Sequence, residues 1–91
     1  MDMRIFKYPL PVRGAISHQM PLGAQIQSVG EQEGQPFVWA MIDADEPHLQ
    51  LVDFYVAFTG ETIEPRIAGS KFLGRVSTTG LELHVFEVRR G

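Results

Sequence analysis

Residues 49–60 read "LQLVDFYVAFTG". Val52, Phe54, Val56 and Phe58 fall on one side of an extended chain, with Leu51, Asp53, Tyr55 and Ala57 on the other. Side chains of a strand alternate between faces, so this pattern predicts a β-strand with one wholly apolar face. Its β-branched and aromatic residues suit a pleated, half-buried surface. The reading then spreads to its neighbours. "PFVWAMID" (36–43) is apolar on both faces and predicts a central strand covered on both sides. Trp39, Phe54, Val56 and Val85 are expected to be buried.

Outward from these two strands, Gly and Pro recur at intervals that suit short strands and turns. "RIFKYPL" (4–10) places Phe6, Tyr8 and Leu10 on one face, and "ISHQM" (16–20) is expected to return beside it as a first hairpin. Gln25, Gln27 and Ser28 interleave with Ile26 and Val29 in a half-exposed strand, followed by a turn at "EGQ" (33–35). "KFLGRVS" (71–77) and "LELHVFEVR" (81–89) flank "TTG", where Gly80 supplies left-handed geometry for a hairpin. No twelve-residue window has a convincing helical period, and the one helical turn expected lies within "EPRIAG". The fold class is all-β: a small sandwich or partly open barrel of about seven short strands, mostly hairpin-connected. Ninety-one residues allow one domain, 1–91, with no second core.

Composition narrows the function classes. With 44% apolar and 21% charged residues the chain reads as an ordinary globular domain. It has no cysteine, which removes disulfides, thiolate metal sites and thiol nucleophiles and suits a reducing cytoplasm. "MDMRIFKYPLPV" lacks the apolar core of a signal peptide, and no run approaches a membrane span of about 20 residues, so no membrane association is expected. A net charge of −3 with scattered bases disfavours nucleic acid as a partner.

The reactive groups form no recognisable constellation. Asp43, Asp45 and Glu46 open like a calcium loop, but Pro47 and His48 follow and no glutamate closes it. A solvated loop at a strand's end is the expectation, with no metal site. His18, His48 and His84 lack the spacing by which two imidazoles share a metal, and no serine has nucleophile-elbow context. No catalytic residue, cofactor or enzymatic activity is expected. Tyr55, beside Asp53, belongs either to a partner surface or to a covered second layer.

The order "IFKYPL" (5–10), "MPLGAQIQSVGEQEGQPFVWAMID" (20–43), "FTGETI" (58–63), "FLGRV" (72–76) and "LHVFE" (83–87) resembles a family of small proteins encoded by bacteriophages and prophages. Its most specific parts are the Met-Pro-x-Gly-Ala turn, Trp-Ala-x-x-Asp and the closing His-Val-Phe-Glu. The resemblance implies an accessory protein acting inside the bacterial host, in its cytoplasm. It implies no active-site residue.

Two expectations of function follow. The first is a non-enzymatic binder of a host protein, acting in counter-defence, that also pairs with its own copy. Pro9 and Pro11 blunt the first strand, so "LELHVFEVRR" is expected as the pairing edge or its neighbour, with His84 near a dyad. The second is a binder of a small nucleotide-like ligand in a pocket between subunits. Arg66, Lys71 and Arg75 would face its anion, with Tyr55 or Trp39 stacked on its base.

Overall fold

The computed structural model describes residues 1–90. Seven strands and one helical turn follow in order: β1 (Met3–Pro9), β2 (Gly14–Pro21), β3 (Gln25–Gln32), β4 (Gln35–Asp43), β5 (Leu49–Phe58), α1 (Pro65–Ala68), β6 (Lys71–Thr78) and β7 (Leu81–Val88). They form two antiparallel sheets, ordered β1-β4-β3 and β2-β5-β7-β6. The sheets stack as an open sandwich measuring 42 × 33 × 15 Å. The short dimension fits two layers about 10 Å apart.

The alternation read in 49–60 sets the core. Phe54 and Val56 of β5 are buried together with Leu83 and Val85 of β7 and with Val38, Ala40 and Ile42 of β4. The expected apolar face of β5 is therefore correct. Trp39 is not in the core. It alternates with Val38 and Ala40, so it lies on the outer face of its sheet, half-buried. The near-continuous apolar run of 36–43 had suggested cover on both sides, but only one side of β4 is covered.

Sandwich closure is one-sided. β3 and β6 approach so closely that a Cβ at Gly74 would lie 2.8 Å from Val29 Cγ2. Two hairpins meet at the end of this side. Glu33–Gly34 and Thr79–Gly80 each turn the chain with both residues at positive φ, the geometry of type I′ turns. Thr78 Oγ1 donates to the Gly34 carbonyl at 2.8 Å, tying one tip to the other.

On the opposite side no ladder joins the sheets, and β1 and β2 meet only where His18 Nε2 lies 2.6 Å from the Pro9 carbonyl and its ring 5.4 Å from that of Tyr8. β1 and β2 do not form the expected hairpin, because β1 pairs with β4 and β2 with β5. Leu10 N–H still bonds to the Pro36 carbonyl at 2.9 Å, extending the β1–β4 ladder before the chain crosses to the other sheet. β7 lies between β5 and β6 and so is not an edge. The connection from β5 to β6 passes across β7 and includes the expected turn α1, whose Ile67 is buried.

Candidate functional site

The outer face of β1-β4-β3 is an apolar surface left without a layer. Met3 and Ile5 of β1 stand beside Met41 of β4, which leads along the strand to Trp39 and Phe37. The rings of Phe37 and Trp39 lie 5.9 Å apart. Gly30 of β3 makes room for the indole: a Cβ there would sit 3.2 Å from the ring. Lys7 lies 4.7 Å above the Phe37 ring and donates from Nζ to Gln32 Oε1 at 2.7 Å. Lys7 and Gln32 thus flank an aromatic pair with polar groups, as at the rim of many binding surfaces. The alternation in 36–43 held the signal for this face, but apolar residues on both sides of a strand do not reveal which side lacks a neighbour.

Five positions were expected to bind a partner or ligand, and the structure separates them. Tyr55 lies under the β5–β6 connection. Its hydroxyl donates to Glu61 Oε2 at 3.0 Å, while Glu61 Oε1 accepts the Phe58 N–H at 2.8 Å. Arg13 Nε stands 3.6 Å from the same carboxylate. The Phe58 N–H, helped by the Tyr55 hydroxyl, holds the Glu61 carboxyl below its ordinary range, and the bond to Glu61 pushes the Tyr55 phenol up. Tyr55 is thus partly buried beside this connection, with its hydroxyl committed to Glu61.

Arg66 and Lys71 do come together. With Ser70, Arg89 and Arg90 they line a groove of about 900 Å³ at the end of β7. Arg90 forks onto Asp53, with Nε 3.0 Å from Oδ2 and Nη2 3.0 Å from Oδ1, and Ser17 Oγ adds a bond to Oδ1. Arg66, Lys71 and Arg89 have no carboxylate within 4 Å among the described residues. Sequence reading missed Arg89 and Arg90; the only signal was an arginine pair directly after the last strand.

Arg75 leaves this set. It points from β6 beside His84 of β7, with Nε 3.5 Å from Glu82 Oε2. His84 Nε2 meets Thr59 Oγ1 at 2.7 Å. With β7 paired on both sides, His84 cannot sit at a strand-to-strand dyad, although β7 does adjoin the edge strand β6.

The acidic stretch after β4 is a loop, as expected. Asp43 Oδ1 accepts the N–H groups of Asp2 and Asp45, both at 3.0 Å. These two bonds, with Asp2 the larger influence, lower the Asp43 pKa. Among the described residues no three His, Asp or Glu side chains converge as a metal set would require, and no helix is long and apolar enough to cross a membrane.

No curated protein and no solved structure matches the chain. The model of one family, described as a domain of unknown function (DUF7352), matches residues 1–91, so the chain belongs to that family.

Proposed function

We propose that this chain is a non-enzymatic binding domain that engages a protein through the uncovered face of β1-β4-β3. The observation that supports this most is the Phe37–Trp39–Met41 row, continued by Ile5 at 61% exposure and Met3 at 45%. Contiguous apolar surface rimmed by polar groups marks an interaction site. Aromatic residues at the centre of such a surface carry most of the affinity in protein interfaces. The resemblance to phage and prophage proteins makes a bacterial host protein in the cytoplasm the partner, with interference in host defence as the outcome.

Trp39 is the sole tryptophan and lies in this face, so it reports directly on occupancy. Free protein should show indole emission that is quenched by iodide. A host protein captured from bacterial lysate should, once purified, shift that emission to the blue and protect it. Met41→Lys should abolish both effects while leaving the melting temperature near that of the parent. Binding that leaves Trp39 emission and quenching unchanged and survives Met41→Lys would sink this reading.

A second reading has its own observation: the bases lacking carboxylate partners, Arg66, Lys71 and Arg89, gather on one groove. Its volume lies within the range of small-ligand sites. A phosphate-bearing small molecule suits three uncommitted cations. The groove is formed within one chain, which dispenses with the pocket between subunits. Inorganic triphosphate should raise the melting temperature, and Lys71→Ala with Arg89→Ala should remove the effect. An equal response in that double variant would count against the site.

A further inference from the structure

The open side of the sandwich leaves two free strand edges, β1 and β2, and their chemistry differs. In an antiparallel ladder, only alternate residues direct N–H and C=O toward the partner strand. The Ala44 N–H bonds to the Asp2 carbonyl at 2.8 Å, and Leu10 N–H to the Pro36 carbonyl at 2.9 Å. The β1–β4 register runs without a break from Met3↔Asp43 to Pro9↔Phe37. Even-numbered residues therefore face β4, and Met3, Ile5, Lys7 and Pro9 direct their backbone polar groups to the free edge.

Pro9 blunts this edge only at its end. It has no N–H, and its carbonyl is already taken by His18 Nε2 at 2.6 Å. The backbone groups of Met3, Ile5 and Lys7 remain. The same segment is apolar on both faces, with Ile5 at 61% exposure on the outer side and Phe6 at 45% on the inner. By the same reasoning from Leu22 N–H to the His48 carbonyl, β2 turns the backbone of Ala15, Ser17, Gln19 and Pro21 outward. Their side chains are small or polar. Native edges are normally protected by charge, proline or cover; between Met3 and Lys7 there is no proline, and the two charges are drawn to their own sheet, Arg4 to Asp2 and Lys7 to Gln32.

We infer that β1 is the interface to a second copy of this chain, paired antiparallel about a two-fold axis at Ile5. The register follows from charge and from proline. A dyad at Arg4 sets guanidinium against guanidinium, and one at Lys7 sets ammonium against ammonium while matching Ile5 to Pro9. A dyad at Phe6 matches Met3 to Pro9 and forfeits N–H donors there, and one at Met3 leaves Lys7 unpaired. With the dyad at Ile5, Met3 meets Lys7 of the copy, Ile5 meets Ile5, and every outward N–H finds a carbonyl. Arg4 then lies opposite Phe6 of the copy, a cation beside an aromatic ring rather than beside another cation. The two three-stranded sheets become one of six strands, and the apolar face proposed for binding doubles. The pairing does not depend on that binding, because it uses backbone groups of the edge.

A single cysteine reads this register in a chain that has none. At the dyad, Cα atoms of a hydrogen-bonded pair lie about 5.5 Å apart, within reach of a disulfide. Under mild oxidation the full-length Ile5→Cys protein should cross-link to a dimer, whereas Met3→Cys, about four residues off its own copy, should not. In sedimentation, Ile5→Lys and Ile5→Glu should each weaken self-association by at least about tenfold, and an equimolar mixture of the two should restore it. Ile5 is exposed, so these variants keep the parent fold, and a melting curve confirms it. A parent protein that stays monomeric at about 100 µM overturns the inference. So does a dimer that Ile5→Lys leaves intact, or one that cross-links as well through Met3→Cys as through Ile5→Cys.

Discussion

Thr79 is the residue whose backbone costs most for its type. It sits at φ 46 in the β6–β7 turn, where a β-branched side chain is a genuine outlier. Asparagine followed by Gly80 is the preferred pair for this turn, so Thr79→Asn should stabilise the domain by about 0.5–1 kcal/mol in urea unfolding. The sequence already placed Gly80 in left-handed geometry; that Thr79 shares it depends on a two-residue rather than three-residue loop. Glu61 allows a second test. Its carboxyl titrates below the ordinary range because Phe58 N–H and the Tyr55 hydroxyl favour the ionised form. The group contributes fully above the unfolded-state value of about 4.3, and its contribution is lost as pH falls through the lower folded value. Glu61→Gln should therefore lower the melting temperature at pH 7, and the gap from the parent should close on acidification below pH of about 4. A gap that persists at low pH would mean that Glu61 acts by packing and not by charge. No spacing in the sequence links Glu61 to Tyr55, since their meeting depends on how the connection folds back over β5.

Element by element, alternation told which residues share a face but not which strands are neighbours. β5 was legible because one face is wholly apolar, and a one-residue slip would expose Phe54 and Val56. β1 and β2 were misjoined because proximity in sequence favours a hairpin, whereas Leu10 instead prolongs the ladder with β4. The three positions expected to face a ligand's anion, Arg66, Lys71 and Arg75, were read as one cluster, and a bulge between Phe72 and Gly74 lies between the last two. At that bulge the backbone of β6 approaches β3. Gly74 has φ 154, and an added methyl group would clash with Val29. Gly74→Ala should therefore cost about 2–4 kcal/mol, from overpacking and from the backbone together. Combining it with Val29→Ala should return part of the loss, which a purely conformational penalty would not allow. Nothing in "FLGRV" distinguishes this glycine from one that merely ends a turn.

At the scale of the whole molecule, the core is thin and depends on a few large side chains. Phe54 is fully buried at its centre, and Phe54→Ala should cost about 3–5 kcal/mol, a large part of the stability of a domain this size. A cooperative melt close to that of the parent would count against this assignment of the core. The tied hairpin tips have a consequence for how the chain reaches this state. β3–β4 and β6–β7 are the pairings that join adjacent strands through short turns, while β1–β4 and β2–β5 each wait for a strand far along the chain. Closing a short loop takes little entropy and little time, and long-range pairing takes more of both. The bond from Thr78 to Gly34 joins these two hairpins, which makes them the expected nucleus: substitutions there should slow refolding while those in β1 should speed unfolding. On that expectation β1 and β2, which precede the other five strands along the chain, are the last to find their places.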